Sequence, residues 1–167
     1  MKFGSLEKLE STSGLDKVGK EHVQRCLSEM QIDSMIPAGL WADGVPCQWD
    51  RDQSVELVCL NLPGLPKTME EHKLRLPITG LMKASMSTNT WHDIFEVIAW
   101  SFRLMATGAY PAARHDGKAW LKSDFHRAKK ASADLGYKSA LVQMRADWGC
   151  WKNVFGFPQY NEKAGCC

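Results

Sequence analysis

The chain has 167 residues, is 44% hydrophobic and 24% charged, and carries a net charge of +2. That is enough chain for one domain with its own core, and the composition excludes collagen-like, disulfide-scaffold and charge-driven disordered classes. No stretch reaches the roughly 18 apolar residues of a membrane span, the N-terminus lacks a signal-peptide core, and six irregularly spaced cysteines read as reduced thiols, so we expect a soluble intracellular protein.

Residues 1–14 are polar and read as an arm. From Leu15 to Met30, apolar residues recur at three- and four-residue steps, which predicts an amphipathic helix despite Gly19. We take 1–34 as an N-terminal arm and helix, and 35–167 as the main domain. Leu40–Ala42 predicts a short strand that ends on Asp43, with Asp43-Gly44 as a turn. "SVELVCLNLPG" is the clearest strand, apolar on both faces and stopped by Pro63-Gly64. "KLRLPITGL" predicts a third strand, placed at a sheet edge by Pro77.

"TWHDIFEVIAWSFRLMATG" predicts the strongest helix. Thr90 is its expected cap, with Asp93 as capping-box partner. Ile94, Val97, Ile98, Ser101, Phe102 and Met105 form its inward stripe, and Gly108 ends it. Trp91 and Trp100 are expected in the core. Residues 109–138 are irregular and basic, with seven Lys or Arg against three Asp. "SALVQMRAD" predicts a fourth strand, ending on Asp147. An aromatic segment follows, then "NEKAGCC".

The order strand, strand, strand, helix, strand predicts an α/β mixed sheet. Three strands form an antiparallel meander, and the fourth returns parallel to the first by a crossover. Neighbouring strands lie about 4.8 Å apart, so Asp43 and Asp147 would meet at one end of the sheet if they point to the same face at matched register. Two such carboxylates repel, and a hard divalent cation such as Mg²⁺ or Mn²⁺ removes the repulsion. Two ions about 4 Å apart serve phosphodiester cleavage. Each acid alone is well explained as a turn or cap residue.

The pieces "ADGVP", "VCLNLPG", "MRADWGCW" and "NEKAGCC", in that order, resemble the catalytic core of CACTA-type (En/Spm-like) DDE/D transposases over roughly residues 38–167. The resemblance implies a ribonuclease-H-like fold, metal-dependent DNA cleavage and strand transfer, Mg²⁺ or Mn²⁺ on catalytic Asp43 and Asp147, a DNA partner, a possible homo-oligomer and a nuclear location. In that family a cysteine cluster binds zinc, and the third catalytic acid lies further downstream. Here Cys166 and Cys167 end the chain, which predicts an incomplete core with a partial zinc site, inactive alone, whose zinc would bind only in a longer chain with partners such as Cys150.

For contacts to the nucleic-acid backbone the candidates are Arg114, Lys118, Lys122, Arg127, Lys129, Lys130 and Arg145. Arg114-His115-Asp116 could equally be a polar loop, and Asp50 and Asp52 solvated turn residues. Two other readings stand beside the transposase one: a non-catalytic module binding nucleic acid or protein, and a small structural subunit of a larger complex.

Overall fold

A computed structural model describes residues 15–31, 34–47, 53–63 and 75–155. Helix α1 (Lys17–Glu29) leads into β1 (Ile36–Pro46), β2 (Ser54–Asn61) and β3 (Arg75–Met82). Helix α2 (Thr90–Thr107), a short helix α3 (Phe125–Lys129), β4 (Ser139–Ala146) and α4 (Trp148–Phe155) follow. The sheet order is β3-β2-β1-β4. The β1–β2 and β2–β3 pairs are antiparallel, and β4 runs parallel to β1. This is the mixed α/β sheet expected from the element order, with Pro77 in the edge strand β3. The expected arm 1–14, Asp50, Asp52, Cys166 and Cys167 lie outside the described residues.

Buried clusters lie on both faces of the sheet, and the edge strand β3 stays largely exposed. On one face, Leu15, Val23, Leu27 and Met35 pack with Ala140 and Val142 of β4. The turn into α1 is closed by Asp16, whose Oδ1 accepts the Gly19 N–H at 2.7 Å, so Gly19 lies in the capped first turn rather than weakening the helix middle. On the other face, Leu40, Ala42 and Val58 pack against Ile98 of α2 and Cys150 of α4. Each buried Leu, Ile or Val here contributes about 1.5–3 kcal/mol of apolar transfer.

Gly39 permits a close approach across the ladder: a Cβ there would collide with Asn61 Oδ1. Asn61 donates from Nδ2 to Gln143 Oε1 at 3.3 Å, and its own Oδ1 is buried without a partner. The Arg75 guanidinium covers the Trp41 ring at 4.5 Å from its centroid on the same face.

Three local expectations are corrected. Asp43-Gly44 is not a turn: β1 continues through it to Pro46, with Asp43 opposite Leu57 and Gly44 opposite Glu56, because cross-strand pairing to β2 satisfies a backbone that a turn would have released. Thr90 is not the cap of α2. Asn89 holds that position without a side-chain bond, and Thr90 Oγ1 accepts the Ser87 N–H at 2.9 Å instead. Val97 is 39% exposed and Trp100 only half-buried, so the inward stripe is narrower than its sequence pattern. The aromatic segment after Asp147 is helical. Gly108 does end α2, in the left-handed region at φ 75°. Among the described residues, no helix is long and apolar enough to cross a membrane.

Candidate functional site

Parallel pairing of β1 with β4 sets Ala42 opposite Ala146. Asp43 and Asp147 are the next residue on each chain, at the same end of the sheet. They differ in setting. Asp43 is still in the ladder and half-buried, and strand alternation turns it away from the face that Ala42 and Gly44 share. Asp147 has just left β4 and caps α4. Its Oδ1 accepts the Cys150 N–H at 2.6 Å, and its carbonyl accepts the Trp151 N–H at 3.1 Å. A carboxylate there satisfies an otherwise unpaired amide and complements the helix dipole. Oδ2 is not used by that bond.

A third carboxylate joins them. Glu56 on β2 has a side chain only 14% exposed and faces the Lys83 ammonium at 4.0 Å. Gly44 makes room for it, since a Cβ there would stand 3.2 Å from Glu56 Oε1. Glu56, Lys83, Trp91, Asp147 and Cys150 line one cavity of about 340 Å³, and Asp43 is not among its lining residues.

The Cys150 thiol reports on all three acids. Burial, then the charges of Asp147, Glu56 and Asp43, push its pKa up to about 11. Cys150 is a core residue, 7% exposed.

The three carboxylates do not form a closed cage. Among the described residues, the group of three ligand-type side chains whose donor atoms all lie within 4.8 Å of one another is His92, Asp93 and Glu96, exposed on α2. Mg²⁺ does not require a cage: it is commonly held by one or two carboxylates, with waters and substrate phosphates completing the shell. Asp43 and Asp147 share one sheet end, with Glu56 on the cavity side beside Asp147 and Asp43 turned to the opposite face.

The basic candidates divide by place. Arg114, Arg127 and Lys130 line a groove of about 680 Å³ between α2 and the excursion that follows it. Arg114 and Lys118 pair with Asp116 at 3.2 and 3.7 Å. The Lys118 N–H, Arg114, Lys118 and His115 hold the Asp116 pKa below its ordinary value, outweighing a desolvation effect that raises it. Arg114-His115-Asp116 thus forms a tight turn, with Gly117 at φ 75° donating to the Arg114 carbonyl at 3.0 Å. Arg127 pairs with Asp124 at 3.5 Å. Lys122 and Lys129 are exposed nearby. Arg145 lies apart, in a depression between β4 and α1.

The sequence reading missed Glu56, which looked like an ordinary strand residue, and it missed Tyr110 and Trp120, which line the groove. The spacing of Trp120, Arg127 and Lys130 was the available signal for the last. A scan against protein-family models and searches of curated proteins and of solved structures each return no match. A functional reading therefore rests on the strand order, the register and the side chains themselves.

Proposed function

We propose that this chain carries part of the catalytic core of a transposase-like enzyme of ribonuclease-H-like fold, acting on DNA phosphodiesters in the nucleus. The observation that supports it most is the parallel β1–β4 register, which brings Asp43 and Asp147 to one sheet end 104 residues apart in sequence. Mg²⁺ or Mn²⁺ bound there would supply activation of a water, or of a freed 3′-hydroxyl, and charge neutralisation at the phosphate.

The chain's own residues do the positioning. The Cys150 N–H holds one oxygen of Asp147, so the carboxylate is oriented before any ligand arrives. Lys83 beside Glu56 offsets part of the acid cluster's charge. The neutral Cys150 thiol adds no further negative charge where a phosphate would approach. On this reading the chain should bind the ion through Asp43 and Asp147.

A nuclease assay with Mn²⁺ on a labelled duplex tests this reading. Mn²⁺-dependent cleavage that is lost in Asp147→Ala agrees with it. Robust cleavage surviving Asp147→Ala would place the chemistry elsewhere. The second reading, a nucleic-acid-binding module without catalysis, draws on the acids' failure to close into a cage. Absence of ion binding with retained DNA binding would favour it.

A further inference from the structure

The groove between α2 and the excursion of residues 109–134 has a composition that the acid cluster does not explain. Its base is pinned by backbone bonds: Tyr110 donates to the Ala133 carbonyl at 2.8 Å, and Ser132 donates to the Tyr110 carbonyl at 3.0 Å. The excursion is thus a held structure, and its aromatic rings are fixed in place. Trp120 donates its indole N–H to the Pro111 carbonyl at 3.2 Å. Trp100 meets the His115 ring edge-on, with centroids 6.3 Å apart.

Cations stand at these rings. Arg127 lies 5.8 Å from the Trp120 ring centroid, and Lys130 lies 5.2 Å from that of Tyr110. The lining holds Arg114, Arg127, Lys130 and the acid Asp124, with His115 and His126 beside them; Arg114 pairs with Asp116 just outside the lining and Arg127 with Asp124. Large apolar side chains are left open to solvent here: Val97 is 39% exposed, Leu121 54%, and the neighbouring Phe125 58%. An exposed apolar patch rimmed by charge marks a binding surface more often than an accident of packing.

Flat rings interleaved with cations match one ligand chemistry: bases stacked on aromatic faces, with phosphates passing the guanidinium and ammonium groups. An acidic peptide would satisfy the cations but offers nothing for three rings. A duplex presents phosphates but keeps its bases stacked inside. We propose that this groove binds unpaired nucleotides of a single DNA strand. The choice of DNA rests on the function proposed above; the preference for unpaired bases rests on the groove alone. In that function the groove would hold a strand opened beside the cleavage site.

The test is fluorescence anisotropy of a labelled mixed-sequence strand of about 10 nucleotides, with the 167-residue chain in EDTA, so that the acid cluster is silent. The strand should bind about tenfold tighter than its duplex or its abasic counterpart, since stacking accounts for most of the difference. Trp120→Ala should weaken binding about tenfold and Trp120→Phe much less. Lys130→Glu, at an exposed position, should weaken it and lower the salt slope by at least about one phosphate contact. Binding of duplex or abasic strand as tight as that of the intact strand would overturn the proposal. So would an unchanged affinity in both Trp120→Ala and Lys130→Glu, or a strand that does not bind. Selective binding of the RNA counterpart alone would overturn the choice of DNA. Because EDTA is present, none of these outcomes bears on the metal reading, which fails separately if Mn²⁺ does not bind at Asp43 and Asp147.

Discussion

At one end of β1 and β4, Asp147 and Glu56 line a cavity with a buried thiol, and Asp43 stands on the other face; across α2, three cationic side chains gather around half-exposed rings. Asp147 stands just past β4, and Asp43 and Glu56 stand in the β1–β2 ladder, where register fixes them and the core lies close by. The cations stand on an excursion held by its own turns and ion pairs. Stability and site geometry are therefore coupled at the acid end and largely separate at the groove. Substitutions near the acids should disturb folding as well as function, whereas those in the groove should disturb binding alone.

The sharpest break of that contrast is a pair of leucines. Leu40, 3% exposed beneath the acid end, should cost about 2–5 kcal/mol on Leu40→Ala. Leu121, 54% exposed in the groove, should cost no more than about 0.5 kcal/mol on Leu121→Ala. Urea denaturation of the two variants measures both, and similar losses would erase the distinction.

Asp147 should show the coupling directly. Asp147→Ala removes the cap on the Cys150 N–H and should cost about 1 kcal/mol. Asp147→Asn keeps an accepting oxygen and should recover much of that stability without recovering ion binding. If both variants are as stable as wild type, the cap contributes nothing measurable.

A smaller effect concerns pH. The Cys150 thiol ionises at about 11 in the folded chain, above the usual thiol value of about 8.5. The unfolded chain therefore loses its proton first as pH rises. The stability that comes from the neutral buried thiol is full below about pH 8.5 and is lost as pH climbs towards 11. Burial raises Cys26 and Cys59 as well, so Cys150→Ala should make this alkaline decline shallower without abolishing it. Denaturation midpoints across that range measure it, and an unchanged slope would contradict the electrostatic picture of the site. Smallest of all in free energy is a labelling contrast: exposed Cys47 should react with a thiol reagent well before Cys150, as peptide mapping would show.

The sheet was legible because its signals are local and periodic. The β2 pattern of apolar residues on both faces, Pro77 at an edge and the apolar run ending on Asp147 each fixed one strand, and the crossover rule then ordered them. Asp-Gly misled because the pair favours turns only when no partner strand claims its backbone, and β2 claims Asp43 and Gly44 both. Helix α4 was hidden because its start signal, Asp147, had been read as an acid ending a strand; it is also the residue that caps the helix. Glu56 was invisible because its role depends on Gly44 standing opposite it, a long-range fact of register. The groove escaped for a related reason: Trp100 sits on a helix whose apolar spacing implied burial, and only the folded excursion leaves it beside His115 and the cations.

The most direct test of the central claim is Mn²⁺ binding to the 167-residue chain, followed by electron paramagnetic resonance in wild type, Asp43→Asn, Asp147→Asn and Glu96→Gln. The account predicts saturable binding that weakens at least about tenfold in either aspartate variant, as expected when an ion loses one of two carboxylate ligands, and is unchanged in Glu96→Gln. Binding that survives both aspartate variants and disappears in Glu96→Gln would assign the ion to the exposed His92, Asp93 and Glu96 cluster on α2 and contradict the proposed site.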